Sequence, residues 1–545
     1  MSKRKSARPA PPPQPATPGW AARLGAGEAA LAGGSALMWY LSFPPAGLWP
    51  LAFVALAPLF VLAARGRGWR PLIWAFAGGW AANGACIFWL RHTTWAGMIA
   101  LAFYVALYWP LAAFLIGWTR RRAGLPLTLA APVLWVALEF VRSWLLTGFP
   151  WVFAGHTQFP NRWLLQTADV GGAHLVSWIV ALASGLAADL SLGTWTSPKR
   201  RLAWAGGVAV ALAAGHVYGA ARLGVYRPLP GPRVALVQGN VPQSLKHDGA
   251  DVSLLKMLVD HQKLSLRAKQ ADLILWPETM MPVPLNRVLG PQPPAADTWG
   301  GLAARMLQEI GRETRAHMLI GALAEEQAPE RHFNSAYFLS PQAKLLGRYD
   351  KMRLVLYGEY TPLKRFFPFL KALRPPIMGP DLTAGDKRVI FELPWGQSRT
   401  SRFGVTICYE DAEAGHQRAF VRQGVDFMAN LTNDGWFLDS AELDMHLAVC
   451  GFRAVETRRP FVRAANTGIS SIVDATGRAV ARLTENGKDR EIAGLLQGEV
   501  PLTDMRSLYV VIGDAFALLL CAAGAGMLVA AWRRTAFEAA GRASS

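Results

Sequence analysis

Three short stretches in the second half of the chain each place one reactive side chain at the end of an apolar run. Leu-Ile-Leu-Trp-Pro-Glu ends on Glu278, Tyr-Asp-Lys ends on Lys351, and Gly-Val-Thr-Ile-Cys-Tyr-Glu surrounds Cys408. Each run is short, branched or aromatic, and bounded by Pro, Gly or charge, the pattern of a buried strand delivering a residue to a sheet edge. A carboxylate, an ammonium and a thiol delivered in this way are the parts of a thiol-nucleophile acyl-transfer site. A free thiol has a pKa of ~8.5 and attacks a carbonyl only as thiolate, so it needs a base or a cation. Glu278 has the chemistry of the base, and Lys351 that of a cation steadying a thiolate and an oxyanion. Taken singly, Glu278 and Lys351 would also suit a salt-bridged strand end; their order with Cys408 favours the catalytic reading.

The strings around these residues are Trp-Pro-Glu-Thr, Tyr-Asp-Lys-Met-Arg-Leu-Val-Leu-Tyr-Gly-Glu-Tyr-Thr-Pro and Ile-Cys-Tyr-Glu-Asp. They resemble the Glu-Lys-Cys triad of the nitrilase superfamily. On a chain with many apolar stretches they resemble in particular its apolipoprotein N-acyltransferase family, from about residue 25 onward. The resemblance implies that a phospholipid acyl chain passes to Cys408 as a thioester and then to the α-amine of a diacylglyceryl-cysteine on an apolipoprotein. It implies a bacterial inner-membrane enzyme, a monomer, with its catalytic domain in the periplasm and with neither cofactor nor metal. It also implies that Glu359 supports the site by orienting Lys351, that Glu410 anchors the loop of Cys408, and that Tyr409 shapes substrate access. A helix-start acid remains open for Glu359, and a packing aromatic for Tyr409.

At 545 residues with 52% hydrophobic and 17% charged residues and 22 Trp, the chain is far from a soluble average. Apolar stretches lie near 25–41, 48–64, 71–90, 97–118, 125–146, 173–193, 202–221 and 509–532, which predicts eight transmembrane helices. The net charge of +19 could suggest nucleic acid, but the basic residues do not gather on one soluble segment. Lys3, Arg4, Lys5 and Arg8 precede the first stretch, Arg65, Arg67 and Arg70 follow the second, and Arg120, Arg121 and Arg122 follow the fourth. Lys199, Arg200 and Arg201 follow the sixth, and Arg533 and Arg534 the eighth. Every second connection is basic, so these face the cytoplasm, with both termini inside and the long segment between the seventh and eighth helices outside.

Between Tyr226 and about Val500 the pattern changes to strands alternating with helices, an α/β layered arrangement that the resemblance sharpens to a nitrilase-like α-β-β-α sandwich. Expected strands are Val234–Gln238, Leu273–Trp276, Met318–Ala322, Ala336–Leu339, Gly404–Cys408, Phe427–Asn430, Phe461–Ala464 and Ser470–Val473; expected helices are 252–269, 298–315 and 441–458. The chain thus divides into a disordered basic tail (1–24), a seven-helix transmembrane domain (25–223), the catalytic domain (224–505), a final transmembrane helix (506–535) and a cytoplasmic tail (536–545).

The four cysteines are too few for a disulfide framework. Cys86 and Cys521 fall in apolar stretches as packing residues, and the context of Cys408 favours a free nucleophile over a bridge to Cys450. His446 and Cys450 stand four apart on one expected helix, and with no other ligand near them in sequence they read as a helix-face pair rather than a metal site. The resemblance implies that Arg453 and Glu456 are ion-pair partners on that helix, while Glu139 and Arg142, three apart, can pair near the outer end of the fifth stretch. The resemblance implies that the aromatic loop from Gly148 to Asp169 lies at the rim where lipid tails arrive and that the Asn430–Trp436 loop lies near the pocket, an ordinary Asn/Asp/Gly turn remaining open for the second. The resemblance departs at His247, where Trp is common. A membrane-anchored amidase releasing its acyl group to water is the alternative reading; a transporter or a non-catalytic scaffold leaves the three motifs unexplained.

Overall fold

A computed structural model describes residues 25–243, 251–291, 294–327, 329–362, 364–369 and 379–543. His247 and the N-terminal tail lie outside the described residues.

Helices occupy all eight expected stretches: Ala26–Leu41, Trp49–Arg65, Arg70–Cys86, Trp95–Ala123, Leu127–Arg142, Ala168–Ser191, Pro198–Val225 and Ala515–Ala543. Four are long and apolar enough to cross a membrane: Trp95–Ala123, Ala168–Ser191, Pro198–Val225 and Ala515–Thr535. The other four are at most 17 residues long, under the ~20 that a span of hydrocarbon needs. The expectation of eight crossing helices is thus matched in number of helices, while length and composition support four as spans. Leu202, Val210, Val217 and Leu519 are exposed on the outward faces of two of the long helices, a surface suited to hydrocarbon rather than water.

Two six-stranded sheets form the α/β part. The first has the order β12-β1-β2-β3-β4-β5 and the second β11-β10-β9-β8-β7-β6. Their ranges are β1 Arg233–Gln238, β2 Leu273–Met281, β3 His317–Gln327, β4 Glu330–Leu339, β5 Leu345–Asp350 and β6 Ile390–Trp395, followed by β7 Arg399–Ile407, β8 Phe427–Thr432, β9 Phe461–Ala465, β10 Ser471–Val473, β11 Ala479–Arg482 and β12 Gly494–Glu499. β1, β2 and β3 run parallel, as do β7, β8 and β9. The two-residue period of a strand sorts the side chains. Leu273 and Leu275 of β2 join Val405, Ile407, Ala429 and Leu431 between the sheets, while Ile274 and Trp276 turn outward to Leu258, Leu307 and Ile310 of the helices Asp251–Ser265 and Trp299–Thr314. The helices Ala414–Arg422 and Ala441–Thr457 cover the second sheet, with Phe420, Leu443 and Leu447 in the same cluster as its strands. This is the expected α-β-β-α sandwich.

All eight expected strands are present, whereas β5, β6, β11 and β12 were not expected from the sequence. These four are the two edges of each sheet. Edge strands are half-solvated and lack a continuous apolar run, as the alternation of exposed and buried residues in β6 shows. Cys408, expected inside a strand, lies one residue beyond β7.

The helical part is bolted to the sandwich. Arg458, fully buried, donates to Asp169 at 2.6 and 2.9 Å; Arg162 donates to the carbonyls of Gly477 and Thr476; and the Glu456 carboxylate accepts from Ala173 N at 2.8 Å.

Candidate active site

Glu278, Lys351 and Cys408 come from three different strands, all at the same end of the sandwich. Glu278 lies on a bulge in β2: the register with β3 shifts between Trp276 and Met281. Pro277 cannot donate to the ladder and Thr279 takes a φ of 52°, so the strand kinks and aims Glu278 off the ladder. Gly321 on β3 is what lets the kink fit, because a Cβ there would stand 2.1 Å from the carbonyl oxygen of Pro277. Lys351 follows β5, its backbone N–H donating to the carbonyl of Asn334 on β4 at 2.8 Å. Cys408 follows β7 with a φ of 53°, a left-handed conformation that a non-glycine residue holds only when its surroundings fix it.

The buried Lys351 ammonium donates to Glu359 Oε1 at 2.8 Å and to Glu278 Oε1 at 3.3 Å. Burial pulls its pKa down, but the carboxylates of Glu359 and Glu278 and the nearby Cys408 outweigh that and hold it well above the usual lysine range. Lys351 is therefore a fixed positive charge. Glu278 Oε2 accepts from Asn433 N at 3.0 Å, and Oε1 also accepts from Asn334 Nδ2 at 2.7 Å. Asn433 belongs to the Asn430–Trp436 loop expected near the pocket, whereas neither asparagine's contact with Glu278 is marked by the sequence around it.

Burial and the Glu278 carboxylate push the Cys408 thiol up to about 12, while Lys351 and His446 pull the other way. Cys408 at rest is thus a thiol rather than a standing thiolate, and any attack by its sulfur requires a neighbouring base to take the proton.

The supporting residues take distinct parts. Glu359 bonds Lys351 as expected, and its other oxygen accepts from Val355 N at 2.8 Å. Fully buried Glu410 joins two loops: it accepts from Ile407 N at 2.8 Å on the nucleophile side and from Met352 N (2.7 Å) and Arg353 N (3.0 Å) on the lysine side. Burial raises its pKa to about 7 against the pull of these amides, Lys351 and the Tyr349 hydroxyl. Tyr409 stacks on Trp151 at 6.0 Å and 16°, and its hydroxyl donates to Gly148 O at 3.4 Å, so the residue after the nucleophile touches the aromatic loop of the helical part.

Residues 35–186 match the sequence profile described as the apolipoprotein N-acyltransferase N-terminal domain, and residues 233–509 match that of a carbon-nitrogen hydrolase. An apolipoprotein N-acyltransferase of Geobacter metallireducens is 34% identical over 524 residues, covering 92% of this chain and 94% of that one. The chain belongs to the apolipoprotein N-acyltransferase family. Its namesake in Methylococcus capsulatus is 32% identical, covering 89% of this chain and 88% of that one. Among solved structures, an amidase from Nesterenkonia sp. is 19% identical with a TM-score of 0.36, covering 54% of this chain and 97% of that one, a likeness too slight to carry a conclusion. This member of the family is accordingly an acyltransferase.

Under its nucleophile turn lies a buried charged cluster that the sequence reading missed. Arg463 on β9 donates to Asp411 (3.1 Å), Asp434 (2.8 Å) and Asn430 Oδ1 (3.1 Å), and Asn430 Nδ2 donates to the carbonyl of Cys408 at 3.1 Å. His446, four residues before Cys450 on the same helix, also belongs to this cluster: its Nε2 stands 2.9 Å from Asp411, and Glu442 and Asp434 flank its Nδ1. Asp434, Glu442 and His446 are close enough together to hold a metal ion. The guanidinium of Arg463 already supplies the positive charge among them, so the residues fit a charge-paired cluster.

The Arg453–Glu456 ion pair forms at 2.9 Å. Glu139 and Arg142 instead pin the aromatic loop: Glu139 accepts from Ala154 N at 2.8 Å, and Arg142 donates to the carbonyls of Trp151 and Val152. All four cysteines are free. Cys450 is fully buried in mid-helix, and burial and the Asp411 carboxylate push its thiol up to about 12 against the pull of Arg463 and His446. Cys450→Ala is expected to keep most acyl transfer and to cost about 1 kcal/mol of stability for the lost packing. Loss of acyl-enzyme in a folded Cys450→Ala protein would contradict that assignment.

Proposed function

We propose that this chain transfers an acyl chain from a membrane phospholipid, through a thioester on Cys408, to the α-amino group of the diacylglyceryl-cysteine at the N-terminus of an apolipoprotein. The observation that carries the reading is the pairing of one buried ammonium, Lys351, with two carboxylates beside a protonated thiol. In the first half-reaction Glu278 takes the Cys408 proton as sulfur bonds to the ester carbonyl carbon. Lys351 faces the oxyanion, the carbon–oxygen bond breaks, and the proton goes to the leaving lysophospholipid hydroxyl. In the second, the acceptor amine attacks the thioester, Glu278 takes its proton, and the carbon–sulfur bond breaks to restore the thiol.

A helical body suits both substrates. Each buried CH2 favours an apolar site by roughly 0.8 kcal/mol, so long-chain donors and acceptors stay in the bilayer and the enzyme must meet them there. We assign eight membrane helices, residues 25–223 and 506–535, around a periplasmic catalytic domain at 224–505, in a monomer of the bacterial inner membrane. The alternation of basic connections supports this orientation.

Protein purified from membranes is expected to carry an acyl mass on the Cys408 peptide, labile to hydroxylamine and lost on adding a diacylglyceryl-cysteine peptide as the peptide gains the same mass. Release of free fatty acid with no acylated peptide would identify a hydrolase and overturn the proposal.

A further inference from the structure

Asn334, on β4, is buried, and its side-chain amide makes contacts that packing does not require. Nδ2 donates to Glu278 Oε1 at 2.7 Å and to Glu359 Oε1 at 3.1 Å. Lys351 Nζ donates to the same two oxygens, at 3.3 and 2.8 Å. Two carboxylate oxygens thus share two donors, one charged and one neutral. Turning the amide over would set its carbonyl oxygen against both carboxylates, so this orientation is forced. Its Oδ1 is left buried and without a partner among the described residues, a cost offset by two hydrogen bonds to charged groups.

The arithmetic of donors gives the amide a role. An ammonium has three N–H bonds. If Lys351 alone had to hold both carboxylates, each would draw it away from Cys408 and engage more of those bonds. We propose that Asn334 is a positioning residue for acyl transfer: it holds Glu278 and Glu359 in place so that Lys351 commits one N–H to each and keeps the third, with its charge, for the atoms reacting at Cys408. Being neutral, the amide does this without adding the second positive charge that would quench the base. The inference rests on the assignment of Glu278, Lys351 and Cys408 proposed above.

Two substitutions separate donation from shape. Asn334→Ala, in full-length protein supplied with labelled phospholipid, is expected to slow acyl-enzyme formation by roughly 10²-fold, the scale of a misplaced catalytic group, with KM for the phospholipid changed less than about threefold. Asn334→Asp keeps the shape but turns a third carboxylate toward the other two, so it is expected to be slower than Asn334→Ala. Both variants must match wild type in membrane level and melting temperature; where Asn334→Asp does not, the kcat and KM of Asn334→Ala decide. Asn334→Asp acylating faster than Asn334→Ala would show that the site needs only the volume, and a change confined to KM would place Asn334 in substrate binding; either overturns the inference. Glu278→Gln in the same assay tells the two levels apart. If it acylates at the wild-type rate, the assignment of the base falls; if it is inactive while Asn334→Ala is at the wild-type rate, only the role of Asn334 falls.

Discussion

Cys408→Ser is expected to form no acyl-enzyme from labelled phospholipid within the time of one wild-type turnover. The hydroxyl has a much higher pKa than the thiol, and the site that holds Cys408 protonated at rest gives no help in ionising a weaker acid. Glu278→Gln keeps the shape but removes the base, and acylation should slow by ~10²–10⁴-fold. Lys351→Ala removes the buried charge facing the oxyanion and should cost about 10²–10³-fold. It also leaves two carboxylates without their cation, so its melting temperature must be compared with wild type before the rate is read. Label appearing on Cys408→Ser at the wild-type rate would place acylation on another residue and end the mechanism.

Arg463→Met is expected to destabilise the sandwich by about 3–5 kcal/mol. Its guanidinium is fully buried and joins Asp411, Asp434 and Asn430, so removal leaves the two buried carboxylates with His446 as their remaining basic partner and loosens the amide that holds the carbonyl of Cys408. An exposed arginine gives the scale. Arg331, paired with Glu326 at the surface, should cost no more than ~1 kcal/mol when changed to Ala. Thermal melts of the two variants side by side are the measurement, and alkylation of Cys408 by a thiol reagent is the second. Equal melting temperatures for Arg463→Met and wild type would mean that the cluster does not hold the turn.

The candidate site was legible in the sequence because Glu278 and Cys408 each end a locally recognisable apolar run and Lys351 closes the short string Tyr-Asp-Lys. Glu278, Lys351 and Cys408 are delivered by β2, β5 and β7, and the apolar residues leading to the first and third could be read within a window of six. Strands with both faces covered were legible for the same reason. The four edge strands were not, since one flank of each meets solvent and its residues need not be apolar. The residues that complete the site share that opacity. Asn334 reaches Glu278 across 56 positions and Asn433 across 155, and nothing in the local sequence of either asparagine marks it as a partner of a carboxylate.

By itself the sequence pointed to the side chains proposed for acyl transfer, to a layered α/β domain and to the apolar helices beside it, because side-chain chemistry and periodicity are local properties. The tertiary structure alone decided that the thiol rests protonated, that Glu410 ties the Cys408 loop to the Lys351 loop, that Asn334 and Lys351 share two oxygens, and that His446 also joins a buried cluster with Arg463. Each of these depends on burial and on distances across strands. Those are set by the bulge at Pro277, the close approach allowed by Gly321 and the packing of one sheet on the other, which no window of neighbouring residues contains.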